Sequence, residues 1–140
     1  VHTPCINKAP ISGSTRWIND TPLIQLTGRY KRNDSFWFTF FHEAGHILLH
    51  GKKDIFLEKV EYSDKDLEKE KEADVFACKW TLTDQEEATI LAAAPLDEDD
   101  IRKFAKQFNT HPAIIIGRKK KKKLIPYSLG REHFEPVVFE

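Results

Sequence analysis

The sequence lacks the features that mark membrane and secreted proteins. It contains only two cysteines, Cys5 and Cys78, too few for a disulfide scaffold and too far apart for a Cys-x-x-Cys site. No apolar run approaches the roughly 18 residues that a transmembrane helix needs, and the first residues show no signal-peptide pattern. We therefore predict a cytoplasmic protein that has no membrane partner.

The sequence also lacks an excess of charge of either sign. Its 22 basic residues equal its 22 acidic residues, whereas domains that bind nucleic acid usually carry a basic excess. Direct binding of nucleic acid is therefore not expected. The five lysines at 119–123 are the local exception. They are interpreted as a solvated helix end, with phosphate contacts as the weaker alternative.

The 140 residues match the usual size of one domain, and 10 Phe and 3 Trp supply material for a core. We predict a single domain over residues 1–140. Because the sequence has no methionine at all, and so no initiator residue, we expect it to be part of a longer chain.

Local patterns predict an α+β fold. Residues 14–19 and 22–27 favour strands around an Asn-Asp-Thr turn. A helix buried on most faces is expected over residues 36–50, with an N-cap among residues 33–35 and Gly51 just beyond its end. Further elements are expected in this order: a helix at 64–81, a helix at 83–93, a helix at 97–108, a helix from Pro112, and a last strand at 137–139. This order predicts a small β-sheet packed on a helical metal site.

Residues 42–46 read His-Glu-Ala-Gly-His, the pattern H-E-x-x-H inside a predicted helix. Positions i and i+4 share one helix face, so His42 and His46 can direct both imidazoles at one zinc ion. Glu43 points about 100° away, which suits a general base for hydrolysis. The alternative is a helix with two surface histidines. The apolar residues on both sides of the motif argue against it, because unpartnered buried polar groups are costly.

A catalytic zinc site needs a third protein ligand. Glu70 is favoured because Glu70 and Asp74 share one face of the next helix, where Asp74 could accept a histidine N–H. Glu72 is the rival ligand, since it lies on a different face, and Glu68 is a weaker one.

Four stretches together resemble the ImmA/IrrE family of metallopeptidase domains. They are the run FWFTFFHEAGHILLHGKK, the run EKEADVFA at 70–77, and the C-terminal pieces PAIIIGR and LIPYS. The family pattern is H-E-x-x-H followed by E-x-x-A-(N/D)-x-F-A. The resemblance implies a gluzincin-like site with His42, His46 and Glu70 on zinc. It also implies that Glu43 is the base and that Asp74 orients a ligand histidine.

The resemblance further implies an endopeptidase that cleaves a helix-turn-helix repressor or an antitoxin and so controls transcription. The alternative is a sensor or interaction domain that binds metal without proteolysis. The chain departs from the family in having no helix-turn-helix segment and in carrying lysines after Arg118. His50 and Tyr62 are candidates for stabilising the oxyanion, although His50 is more readily interpreted as a capping or packing residue.

Overall fold

The computed structural model describes residues 12–27, 32–52, 56–57, 64–125 and 129–137. Within these ranges the chain forms five α-helices and one three-stranded sheet, so the predicted α+β class is confirmed. Cys5, Tyr62 and residues 138–139 lie outside the described residues. No described helix is long and apolar enough to cross a bilayer.

The predicted hairpin is present. Strand β1 (Gly13–Ile18) pairs antiparallel with β2 (Thr21–Leu26) along its whole length. Asn19 and Asp20 connect them with φ of 45° and 67°. Asparagine and aspartate tolerate this left-handed backbone, and such two-residue turns match the twist of hairpin strands.

Strand β1 is the centre of the sheet. A short strand β3 (Phe56–Leu57) pairs with its other edge, which gives the order β2-β1-β3. The burial of β1 alternates, with Gly13 and Thr15 buried and Trp17 partly buried on one face. This face packs against the first helix.

Helix α1 (Asn33–Gly45) continues without a break into a π-turn (His46–His50), and Gly51 ends the helix with a φ of 75°. The N-cap prediction was wrong. The N-cap residue is Arg32, one position earlier, and it makes no side-chain capping bond. Its guanidinium instead forms a bidentate ion pair with Asp34, at 2.7 and 3.0 Å.

The helix is also less buried than predicted. Leu48 is 69% exposed, Leu49 51% and Trp37 46%. The sheet, α2 and α5 cover only part of the helix surface, and the apolar residues are spread around all of it. The prediction from local hydrophobicity therefore overestimated how much of this helix is buried.

Helix α2 (Asp64–Thr81) has the predicted bounds and packs along α1. Gly45 makes this approach possible, because a Cβ at that position would lie 3.2 Å from Ala73 Cα and 3.3 Å from Phe76. Ala73 is fully buried in the contact. Two small residues thus bring the metal motif close to the acidic face of α2.

Helices α3 (Asp84–Ala92), α4 (Glu98–Gln107) and α5 (Pro112–Lys121) complete the described fold. Capping boxes begin α3 and α4, and His111 caps α5 ahead of a proline at the first helical position. The main buried apolar cluster joins these helices and consists of Leu82, Ile90, Phe104, Ala105 and Ile115.

The interpretation of the lysine run as a solvated helix end was wrong for two of its five residues, whereas Lys121, Lys122 and Lys123 are exposed. Lys119 and Lys120 are 2% and 5% exposed. Lys120 Nζ lies 4.5 Å from the centre of the Phe134 ring, and Lys122 pairs with the buried Glu87 at 2.8 Å. The lysines follow one another around the last turn of α5 and its end, so they face different surroundings.

The last predicted strand does not form at Val137, the one residue of it that is described. The described C-terminal segment contains a short 3-10 helix (Arg131–His133) instead. Asn33, the first residue of α1, donates a hydrogen bond to the His133 carbonyl at 3.3 Å and so links this short helix to α1.

Candidate metal centre

The two motif histidines direct their rings at one point. His42 lies in the last turn of α1, and His46 is the first residue of the π-turn. Their Nε2 atoms are 3.0 Å apart. The His46 side chain is 1% exposed and that of His42 is 17% exposed, so neither is a free surface histidine.

Glu70 on α2 completes the group. Its Oε2 lies 3.2 Å from His42 Nε2, and its Oε1 lies 3.4 Å from His46 Nε2. A tetrahedral zinc ion with bonds of about 2.0–2.1 Å separates its ligand atoms by about 3.3 Å. The observed spacings of 3.0–3.4 Å and the two-imidazole, one-carboxylate donor set therefore fit a divalent metal.

The electrostatics of this group are strongly coupled. Burial lowers the pKa of His42, but hydrogen bonds to Asp74 and Glu70 outweigh it and raise that pKa to about 9. Burial raises the pKa of Glu70, but the two histidines outweigh it and lower that pKa to about 2. Burial, with the neighbouring histidines, lowers the pKa of His46. Glu70 is therefore ionised at neutral pH, which is the form that binds a metal.

Each histidine also has a partner for its outer nitrogen. Asp74 Oδ1 lies 3.0 Å from His42 Nδ1, the kind of contact that the sequence assigned to Asp74. His46 Nδ1 faces His50 Nδ1 at 3.0 Å, and His50 Nε2 faces Glu72 at 2.9 Å.

The rival ligands lie elsewhere. The Glu72 carboxylate contacts His50 instead of the three grouped donors, and Glu68 is exposed on α2. His42, His46 and Glu70 are the residues whose ligand atoms converge. The roles assigned to the individual residues remain predictions.

Glu43, the predicted base, is 5% exposed and is held by the sheet. Thr15 Oγ1 lies 2.5 Å from Glu43 Oε2 and 3.2 Å from the Glu43 carbonyl. Gly13 leaves space for this carboxylate, since a Cβ there would lie only 2.7 Å from Glu43 Oε1. Sequence reasoning missed both residues. The only signal was the alternation of β1, which places positions 13 and 15 on one face.

A cleft of about 460 Å³ opens over the group. Its walls come from β1, α1, α2 and α5, and they include Glu43, Asp74, Phe38, Ile114 and Lys121. The volume is within the range of roughly 300–1,000 Å³ that is usual for ligand pockets. Neither oxyanion candidate is assigned here, because His50 does not line the cleft and Tyr62 lies outside the described residues.

A second group of possible ligands involves Glu98, Glu132 and His133, away from this cleft. Arg102 lies 3.2 Å from Glu98, and His133 Nε2 is 2.5 Å from the same carboxylate. These contacts link the C-terminal segment to α4, and we interpret them as structural.

Two helix-borne histidines, a carboxylate from a following helix and a second carboxylate beside them define a metallopeptidase-type centre. Comparison with protein families agrees: the model for the IrrE N-terminal-like domain, a peptidase family, matches residues 5–116. The chain belongs to this family. Searches of curated proteins and of solved structures gave no match.

Proposed function

We propose that this chain is a zinc-dependent endopeptidase that hydrolyses a peptide bond in a regulatory protein. The observation that carries the proposal is the position of Glu43. This carboxylate shares the cleft with the three grouped donors and is fixed by Thr15 at 2.5 Å. A histidine pair that merely packed in a core would need no such buried carboxylate beside it.

His42, His46 and Glu70 would hold the metal. When bound, zinc supplies Lewis-acid polarisation of the scissile carbonyl and makes a water molecule more acidic. Zinc is proposed over manganese or iron because two imidazoles and one carboxylate are a usual catalytic zinc set, although other divalent metals accept the same donors.

Glu43 acts as the general base. Its carboxylate accepts a proton from the attacking water and passes it to the amine that leaves. Thr15 keeps that carboxylate in one position during both transfers, and Gly13 leaves the space that it occupies. Asp74 holds the His42 ring through Nδ1, so Nε2 faces the cleft.

The substrate that we propose is a helix-turn-helix repressor or an antitoxin, whose cleavage would change transcription. Support comes from the family, together with a cleft that accommodates a short stretch of chain. We propose further that the encounter takes place in the cytoplasm, without nucleic acid or membrane as a direct partner of this domain.

Glu43→Gln tests the enzymatic proposal. The amide keeps the size of the side chain but cannot accept the proton, so cleavage of a proteome-derived peptide library should fall by about 10²–10⁴-fold. Mass spectrometry of new peptide termini measures it. Glu68→Gln, the same change at an exposed site on α2, should cleave as the wild type does. Zinc content should be equal in all three proteins.

Two results would contradict the proposal. One is cleavage by Glu43→Gln at the wild-type rate. The other is no cleavage of either the library or folded helix-turn-helix regulators by fully zinc-loaded wild type, which would favour the non-proteolytic sensor.

A further inference from the structure

The outer side of His46 connects to the protein surface through two further side chains. We propose that His50 and Glu72 are positioning residues that hold His46 in the tautomer whose free Nε2 faces His42 and Glu70, and so can bind a metal there. The inference rests on the proposed metal site, but it does not depend on peptidase activity.

The three side chains form a continuous hydrogen-bonded row. His46 Nδ1 lies 3.0 Å from His50 Nδ1, and His50 Nε2 lies 2.9 Å from Glu72 Oε2. Their exposure rises outward, with the His46 and His50 side chains 1% and 4% exposed and that of Glu72 56% exposed. The buried ligand is thus linked to a carboxylate in contact with water.

The Glu72 carboxylate at the end of the row determines which atom donates and which accepts in each hydrogen bond. A carboxylate oxygen accepts hydrogen bonds, so His50 donates its Nε2–H to Glu72. With the His50 proton on Nε2, the contact between the two Nδ1 atoms is a hydrogen bond that His46 Nδ1 donates and His50 Nδ1 accepts. A proton on His46 Nδ1 leaves the lone pair on Nε2, the nitrogen that faces His42 and Glu70.

The backbone supports the same arrangement. His46 and His50 are the first and last residues of the π-turn, a rare geometry that recurs at functional sites. The following Gly51 carbonyl accepts a hydrogen bond from the Trp17 indole at 3.1 Å, which ties the end of the turn to β1. The end of the turn that carries the His50 ring is therefore anchored to the sheet.

The two ligand histidines are thereby oriented in different ways. His42 contacts Asp74 directly, whereas His46 reaches a carboxylate only through His50. Glu72, the rival ligand in the sequence analysis, then affects metal binding indirectly, because it orients His50 and His50 orients His46. Outer partners of this kind typically change metal affinity by about 10–100-fold.

Zinc affinity of the metal-free full chain, titrated against a chromogenic chelator, tests the proposal. Glu72→Ala, which removes the acceptor, and His50→Phe should each bind zinc about 10–100-fold more weakly than the wild type. His50→Gln offers an amide oxygen to His46 Nδ1 and should recover part of the loss. Glu68→Ala is the matched control on α2 and should match the wild type.

The double variant His50→Phe with Glu72→Ala gives the sharpest readout. Because Glu72 acts through His50, the double variant should bind zinc no more weakly than His50→Phe alone. If the two losses add, or if Glu72→Ala binds as tightly as the wild type, the proposal is overturned. Circular dichroism checks folding, and should His50→Phe fail to fold, the variant at the exposed Glu72 decides.

The outcomes separate this inference from the peptidase proposal. Zinc binding that depends on His50 and Glu72, without any cleavage, overturns the peptidase proposal alone. A wild-type chain that takes up no zinc overturns both. Cleavage together with unchanged zinc affinity in both variants overturns only the positioning role.

Discussion

Glu43 illustrates at the residue scale how a strand can prepare a helix-borne carboxylate for catalysis. Thr15 donates a hydrogen bond to one carboxylate oxygen, and Gly13 leaves room beside the other. Thr15 is 2% exposed, so water does not compete for its hydroxyl. The contact spans 28 positions of sequence, and no local pattern in either segment predicts it.

Thr15→Val should therefore lower kcat without emptying the metal site. Valine keeps the shape but removes the donor, and a hydrogen bond to a charged group contributes about 1.5–3 kcal/mol. We expect kcat to fall about 10–100-fold, with KM and zinc content unchanged. Thr15→Ser should restore most of kcat. Wild-type kcat in Thr15→Val, or loss of zinc along with activity, would contradict the positioning role.

Helix α5 shows at the scale of the element how sequence and burial can disagree. Its apolar stripe through Ile115 predicts an apolar residue at 119, but the residue is a lysine. Lys119 is buried, and its Nζ has no hydrogen-bond partner among the described residues. Burial lowers the pKa of Lys119, although the nearby Glu87 opposes this. A cation in this position costs stability.

Lys119→Leu should stabilise the protein. Removing a buried, unpartnered amine and filling the site with methyl groups is expected to raise the free energy of unfolding by about 1–3 kcal/mol. Lys103→Leu changes an exposed lysine on α4 and should alter stability by less than about 0.5 kcal/mol. Urea unfolding at pH 7 measures both. A Lys119→Leu protein less stable than the wild type would contradict the account.

Burial of Lys119 also predicts how the free energy of unfolding changes with pH. The pKa of Lys119 is lower in the folded state than its unfolded value of 10.5, so the unfolded chain binds more protons between these two values. The free energy of unfolding of the wild type therefore rises with pH in that window, because the cost of burying this cation is relieved. The advantage of Lys119→Leu should shrink as pH approaches 10.5 and stay constant below the folded pKa.

Local signals account for most of the elements. The Asn19-Asp20 turn, the capping box at Thr83, and the bounds of α2 were all predictable, because neighbouring residues determine them. Long-range partners were not predictable. Local patterns do not state which strand faces Glu43, what lies behind His46, or which lysines become buried.

The candidate centre depends, at the scale of the whole molecule, on three elements that are far apart in sequence. Helix α1 and the π-turn that continues it supply the histidines, α2 supplies Glu70, and β1 supports Glu43. Gly45 and Ala73 allow α1 and α2 to approach closely enough for their donors to meet. The i,i+4 spacing predicted the histidine pair, whereas the meeting of α1 with α2 is a property of the fold.

The most direct test of this account is the zinc content of the purified chain, measured by elemental analysis after stripping, reloading and removal of free metal. The account predicts about one zinc per chain for the wild type and for Glu68→Ala, and almost none for Glu70→Ala, because two histidines alone leave the metal short of a protein ligand. A wild-type chain without zinc, or a Glu70→Ala chain that keeps a full equivalent, would contradict the central claim.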